Sequence, residues 1–371
     1  MIVEDLPKLP EDKMEQMLRL PSSESKLRVV IDTDAKNEID DQFALAWALL
    51  SRDRLEIEGM YAAPFSRLFH REPLLKAYEQ IKNRQIGKVM DGENISWGGS
   101  YHDWVRRLLA EGKDPAGIKF VSPGEGTELS YQEILKIYEL LEVDAIDKVF
   151  HGSDRFLESL DRPIESPAVD HLIERAMAND AQDRPLYVVA LAALTNIASA
   201  ILIEPKIIER IVVVWTAAYP TFSHLPNRPS MNLVQDILAS QFLFDCGVPH
   251  VYLPGFYIGV QLSLSLPDTE RWIKGRGKIG AYLHHLYTHN PVYEQRGIKE
   301  HFGRTWIAWD LINFAWLLNP EWVPSQLVPS PKLDERLVWQ HGVKRHLMRE
   351  AVGINRDEIF RDFFNKLEEA P

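Results

Sequence analysis

The chain has 371 residues, 45% of them hydrophobic and 26% charged, which suffices for one large α/β domain or two modest ones. Its formal net charge of -12 excludes sequence-independent binding to nucleic acid, which rests on basic side chains neutralising phosphates. A single cysteine, Cys246, excludes an internal disulfide and suits a reducing compartment.

Residues 1–25 are rich in proline and charge and read as an N-terminal extension with one short helix. They lack the basic start and apolar centre of a signal peptide. No apolar run further on approaches the roughly 20 residues that span a bilayer, so a cytoplasmic protein without membrane contact is expected. From there strand-like and helix-like segments alternate. Strands are predicted over 27–32, 55–62, 148–152, 185–191, 210–217 and 250–254, β-branched and nearly continuous apolar runs of the kind that helices cover on both faces. Helices are predicted over 40–51, 70–83, 131–142, 167–179, 195–203, 236–245, 268–288 and 305–318. This alternation predicts a single α/β domain over 26–371 with a mainly parallel central sheet flanked by helices. The polar, glycine-rich stretch 86–130 is too long for a plain connection and reads as an insertion or lid.

Where the first strand hands over to the first long helix, the sequence IDTDAKNEIDDQ carries five acids: Asp32, Asp34, Glu38, Asp40 and Asp41. In open parallel sheets, ligands bind outside the carboxyl ends of the strands. One such acid is explained as a helix cap. Five repel one another unless a cation compensates. Oxygen donors without His or Cys favour a hard cation, Ca2+ or Mg2+, over Zn2+.

Three further motifs follow in order: ALAALTNIASAILIEPKIIERIVVVWTAA at 190–218, NLVQDILASQFLFDCGVPHVYLPG at 232–255 and TWIAWDLINFAWLLNPEW at 305–322. With the Asp-Thr-Asp and Asp-Asp segment, they resemble the inosine–uridine-type nucleoside hydrolases over about residues 27–322. The resemblance implies a Ca2+-dependent N-ribosyl hydrolase acting on a nucleoside or riboside, in which Ca2+ and an Asp activate water against the anomeric carbon. A homo-oligomer is expected.

Carried over position by position, Asp34 matches the catalytic base and a metal ligand. Asp41 matches the principal metal carboxylate, Asp310 the late one, and the carbonyl of Leu191 the main-chain ligand. Asp40 matches the group that grips the ribose hydroxyls, and Asn232 a ribose-binding amide. Asp32, Asp236 and Asn196 are expected to organise loops through hydrogen bonds. The loop between Asp34 and Asp40 is longer than the family's, which is expected to turn Asn37 or Glu38 toward the ligand. Trp309 stands where the family has a His that protonates the leaving base, and its indole is expected to stack on a base or sugar face. Ser230 replaces a Glu two residues before Asn232. His151 is a candidate pocket residue, and Trp97 and Tyr101 are candidates for an aromatic lid. Cys246 has no activating base nearby in sequence and reads as inert.

Two other readings fit parts of the sequence. One is a ligand-binding protein of the same fold with little turnover, suggested by Trp309 and Ser230. The other is a haloacid-dehalogenase-like phosphotransferase, with Asp32 as nucleophile and Asp34 as acid/base. Lys36 opposes it, standing where Thr or Val is expected, and LTNIA has no place in it.

Overall fold

A computed structural model describes residues 5–22, 25–83, 94–95, 99–178, 184–299, 304–342 and 344–371. Helix α1 (Glu11–Met17) leads into β1 (Leu27–Thr33), α2 (Asp40–Leu50), β2 (Leu55–Ala62) and α3 (Arg71–Lys82). The stretch read as an insertion holds a short antiparallel pair, β3 (Asn94–Ile95) and β4 (Gly99–Ser100), then α4 (Tyr101–Ala110) and the start of α5 (Pro123–Leu140). Alternation resumes with β5 (Val149–His151), α6 (Pro167–Met177), β6 (Leu186–Ala190), α7 (Thr195–Ile203) and β7 (Ile211–Ala217). Next come α8 (Met231–Val234), α9 (Ile237–Asp245), β8 (His250–Pro254), β9 (Ser263–Ser265), α10 (Leu266–Trp272), α11 (Gly277–Thr288) and α12 (Pro291–Gln295). The chain closes with β10 (Thr305–Ile307), α13 (Leu311–Leu318), β11 (Ser325–Pro329), β12 (Lys332–Leu333), β13 (Trp339–Gln340), β14 (Leu347–Ala351) and α14 (Arg356–Glu368).

Eight strands form one sheet in the order β11-β14-β8-β7-β6-β1-β2-β5, parallel throughout except for the β11–β14 edge pair. Strands β1, β6, β7 and β8 are buried along their whole length, which is why they read as continuous apolar runs. One core, with Trp47, Ile137, Leu283, Trp316 and Phe363, packs α2, α5, α11, α13 and α14 on one face. The other, with Leu172, Ile197 and Phe242, packs α6, α7 and α9 on the opposite face. Met14 and Met17 of α1 belong to the first core, so the N-terminal extension is fastened to the sheet domain. No helix among the described residues is long and apolar enough to cross a membrane.

The chain builds β1, β2 and β5 outward in one direction, then returns to the other side of β1 with β6, β7 and β8. The strand order therefore reverses between β1 and β6. Loops leaving their carboxyl ends diverge there and open a crevice.

Several boundaries differ from the sequence expectation. The stretch 268–288 is two helices: α10 ends at Trp272, and α11 opens at Gly277, whose left-handed φ of 62° breaks the helical path between them. Residues 305–307 are a strand pairing with β9, and the helix begins only at Leu311. Helix α5 starts earlier than predicted, at Pro123, behind a Ser122–Glu125 capping box. Cys246 is buried, and burial pushes its thiol up to about 12, an inert state.

His250 opens β8 inside a cage of Trp215, Phe244 and Tyr252. Neither of its ring nitrogens has a partner among the described residues. Burial lowers its pKa to about 3 and that of His346 to about 4, against the usual 6.5. The unfolded chain therefore binds protons that the folded state refuses. Their contribution to stability is complete above about pH 6.5 and drains as the pH falls through 4 toward 3. His250→Phe is expected to keep or raise Tm at neutral pH and to flatten its fall on acidification, read from circular-dichroism melts across the pH series.

Candidate active site

The crevice is organised by buried polar groups just behind it. Asp32 accepts from Asn196 Nδ2 at 2.7 Å, and Asn196 Oδ1 accepts from the Ser153 backbone N–H and hydroxyl, both at 2.8 Å. Gly152 permits this approach: a Cβ there would come within 2.3 Å of Ala62 O and of Asn196 Nδ2. Asp236, the N-cap of α9, accepts from Leu157 N at 3.0 Å, Ala239 N at 2.9 Å and Thr195 Oγ1 at 2.7 Å. All three of these residues tie neighbouring loops together.

In front of them, Asp34 follows β1 directly and is 2% exposed. Its Oδ2 accepts from Asn37 Nδ2 at 3.0 Å, and Asn37 N donates to Asp34 O at 2.7 Å, so the long loop folds back on Asp34. Asp40 and Asp41 form the first turn of α2, and the Thr33 hydroxyl donates to Asp41 Oδ1. Asp310 is the N-cap residue of α13 but caps nothing with its side chain. Helix N-termini favour negative charge, and α2 and α13 deliver theirs to one point.

One carboxylate oxygen each from Asp40, Asp41 and Asp310 lies within 4.8 Å of the other two, and all three residues are buried. At that spacing each ionised pair repels by roughly 3–4 kcal/mol for an effective dielectric near 20. Burial first, then neighbouring carboxylates, hold Asp34, Asp40 and Asp310 well above the usual carboxylate range. Burial likewise pushes Asp41 up to about 7. Glu38 is also raised by burial, opposed by the guanidiniums of Arg67 and Arg296.

These groups line one wall of a cleft with about 690 Å³ of space including its mouth. Asp34, Asn37, Asp40 and Asp41 line it, and so do Leu191, Asn232, Trp309 and Asp310, although these positions come from segments far apart in sequence. Glu38 lines it as well. Asn232 Nδ2 donates to Leu191 O at 2.9 Å and Thr216 O at 3.1 Å; each carbonyl keeps a second lone pair. The rest of the lining is largely apolar, with Ala217, Ala218, Pro229, Met231, Phe256 and Trp309. The Trp309 and Phe256 rings meet at 5.7 Å and 79°. Trp309 rests against Gly255 and Gly259, where an added Cβ would touch its Cε3 at 3.5 Å.

The tight trio differs from the set expected to hold metal: Asp40 takes the place of Asp34 in it. Thr33 and Phe256 were not anticipated. Their signal was position alone, since each stands at or just beyond the carboxyl end of a buried strand. His151 does not line the cleft; it stacks on Tyr131 at 3.6 Å and pairs with Glu128. Tyr101 packs into a small cluster between α3 and α4 and bonds His70, while Trp97 lies outside the described residues. Asp32 does not line the cleft either, which removes the phosphotransferase reading that made it the nucleophile.

The described lining holds no Lys, Arg or His; the nearest guanidiniums, Arg67 and Arg296, act on Glu38 from behind it, and none lies among Asp40, Asp41 and Asp310. An all-oxygen, buried, mutually repelling set fits a hard divalent cation.

The comparisons with known proteins place this parallel sheet and its acidic crevice among hydrolases acting on N-glycosyl compounds. Residues 103–358 match the inosine-uridine preferring nucleoside hydrolase family, and the chain belongs to it. The match takes in Leu191, Asn232, Trp309 and Asp310 and begins beyond the Asp32–Asp41 segment. A probable uridine nucleosidase of Arabidopsis thaliana is 24% identical over 224 residues, 58% of this chain and 68% of its own. A putative pyrimidine-specific ribonucleoside hydrolase of Shigella boydii is 28% identical over 173 residues, 46% of this chain and 68% of its own. The purine-preferring ribonucleoside hydrolase of Gardnerella vaginalis shares the fold, with a TM-score of 0.59 at 18% identity, over 92% of this chain and 98% of that one.

Gly152→Ala should cost about 1–3 kcal/mol, because its Cβ meets backbone on one side and the Asn196 amide on the other. A denaturant melt that leaves the midpoint unchanged would show that Asn196 is not held where described.

Proposed function

We propose that the chain hydrolyses the N-glycosidic bond of ribosides, with Ca2+ held by Asp41, Asp310, the Leu191 carbonyl and a carboxylate from Asp34 or Asp40. The observation that carries this reading is the meeting of three buried carboxylates with Asp34 in a cleft whose remaining lining is largely apolar and aromatic. Several carboxylates plus a main-chain carbonyl suit Ca2+, which takes six to eight oxygens, better than Mg2+, which keeps its waters. When bound, the cation would supply positive charge that offsets the acids and makes water in the cleft easier to deprotonate.

Asp34 is the base. Its Oδ2 is occupied by Asn37, which leaves Oδ1 to take the proton of the attacking water. The water oxygen bonds to the anomeric carbon as the glycosidic C–N bond breaks, and that bond's electron pair leaves with the base. Positive charge develops on the sugar ring meanwhile, and the surrounding carboxylates stabilise it. Asp40 and Asn232 accept from the sugar hydroxyls and orient the ring. Trp309 and Phe256 take the face and edge of the departing base. The lining holds no His, so Glu38, whose carboxyl burial raises, and solvent are left to supply that base's proton, and good leaving groups should be favoured. The relatives' names mention uridine, pyrimidine and purine substrates; ribose is their shared element, and the acid-lined wall is what would read it.

Asp34→Ala is expected to lose more than the roughly 10²–10⁴-fold typical of a general base. A variant within tenfold of the parent on uridine, inosine and nitrophenyl riboside would reject the assignment. For the cation, Ca2+ at a hundredfold over its Kd should stabilise the parent by about 2.7 kcal/mol. That gain should vanish in Asp310→Asn. In chelator the order should invert, the variant melting no lower than the parent because one buried repulsion is gone. Equal Ca2+ gains in both proteins would exclude Asp310 as a ligand.

A further inference from the structure

The aromatic wall of the cleft continues beyond the residues that line it. Tyr219 follows β7 by two residues, and its ring packs on Phe256 at 4.5 Å. It also meets Tyr257 at 5.4 Å and 61°. The series Trp309, Phe256, Tyr219, Tyr257 thus runs from the interior to the surface, where Tyr257 is 49% exposed. Rings in tilted and edge-to-face contact at these spacings attract one another beyond simple area burial.

The track is built on a fixed backbone. Tyr219 O accepts from Tyr252 OH at 2.7 Å and Trp339 Nε1 at 3.0 Å, while Tyr219 N donates to Asn227 Oδ1 at 2.9 Å. Tyr257 is held at φ 72°, a left-handed conformation that a bulky residue adopts only when its surroundings impose it. Polar groups along the wall are already engaged: Ser230 Oγ accepts from Ala218 N, and the Thr216 hydroxyl donates to Asn313 Oδ1. The wall therefore offers flat apolar faces and few polar partners.

We propose that the cleft prefers ribosides whose aglycone carries an additional flat, apolar substituent, which lies along Tyr219 and Tyr257 while the sugar occupies the acidic end. This rests on the riboside-hydrolase reading. Continuity of the rings with the cleft selects a substrate group as the occupant, and a second copy of the chain is the competing occupant. The substituent gains ring contact and loses water.

The test compares uridine, adenosine, and adenosine benzylated on its exocyclic amine, in the full-length protein with Ca2+. The benzylated nucleoside should exceed adenosine in kcat/KM by about tenfold, and Tyr257→Ala should bring that ratio close to one. Tyr257→Phe should keep it. A parent ratio at or below one, turnover of uridine but of neither purine, or a raised ratio that survives Tyr257→Ala overturns the proposal. A change of oligomeric state in Tyr257→Ala, seen by light scattering, with no change in the ratio assigns the rings to a subunit contact and overturns it too. Silence on all three nucleosides sinks the parent reading instead.

Discussion

Four buried aspartates that repel one another at the middle of the sheet are the constraint around which this structure is arranged. Such a group is unstable by itself. It persists because the strand reversal between β1 and β6 leaves a crevice for it, and because two helix N-termini point at it. The amide of Asn37 and the hydroxyl of Thr33 each satisfy one carboxylate oxygen. Backbone N–H groups at the start of α2 donate to Asp40 and Asp41 and offset part of their remaining charge. The parallel sheet, buried on both faces, is stiff enough to hold the carboxylates in place against their repulsion.

The fold was legible because burial on both faces forces an unambiguous composition: Val29–Ile31, Leu186–Ala190 and Ile211–Trp215 are apolar at consecutive positions and leave no alternative to a central strand. The edge was not legible for the matching reason. β11 is largely exposed, so it lacks that run, and its partner β14 sets Arg349 and Glu350 side by side inside five residues. Likewise 305–318 looked like one helix, since Trp306, Trp309 and Trp316 share a helical spacing. The pairing of β10 with β9 overrode that local pattern. In the site, the acids announced themselves by density. Phe256 and Tyr219 carried no such signal, because an isolated aromatic residue after a strand looks the same whether it faces a core or a cleft. Only the parallel pairing of β7 with β8, which end side by side at the sheet's carboxyl edge, brings them together.

The two walls of the cleft have unequal origins. The acidic wall is fixed by backbone-close features: short side chains, helix first turns and a strand end. The aromatic wall hangs on longer side chains and on loops, those after β7 and β8, secured by Tyr252, Trp339 and the Glu350 carboxylate that holds Thr221. Hydrolytic chemistry tolerates little displacement, and aglycone recognition tolerates more. The division of supports follows that difference.

The contributing segments also have an order in time. During synthesis Asp34, Asp40 and Asp41 emerge early, the Leu191 carbonyl midway, and Asp310 only after four-fifths of the chain, ahead of the edge pair β11 and β14. Until Asp310 is made, the early aspartates lack the carboxylate and the helix that enclose them in the finished chain, and exposed charge is cheaply hydrated. Full enclosure of that charge therefore waits for the last fifth of the chain, which carries Asp310 and α13.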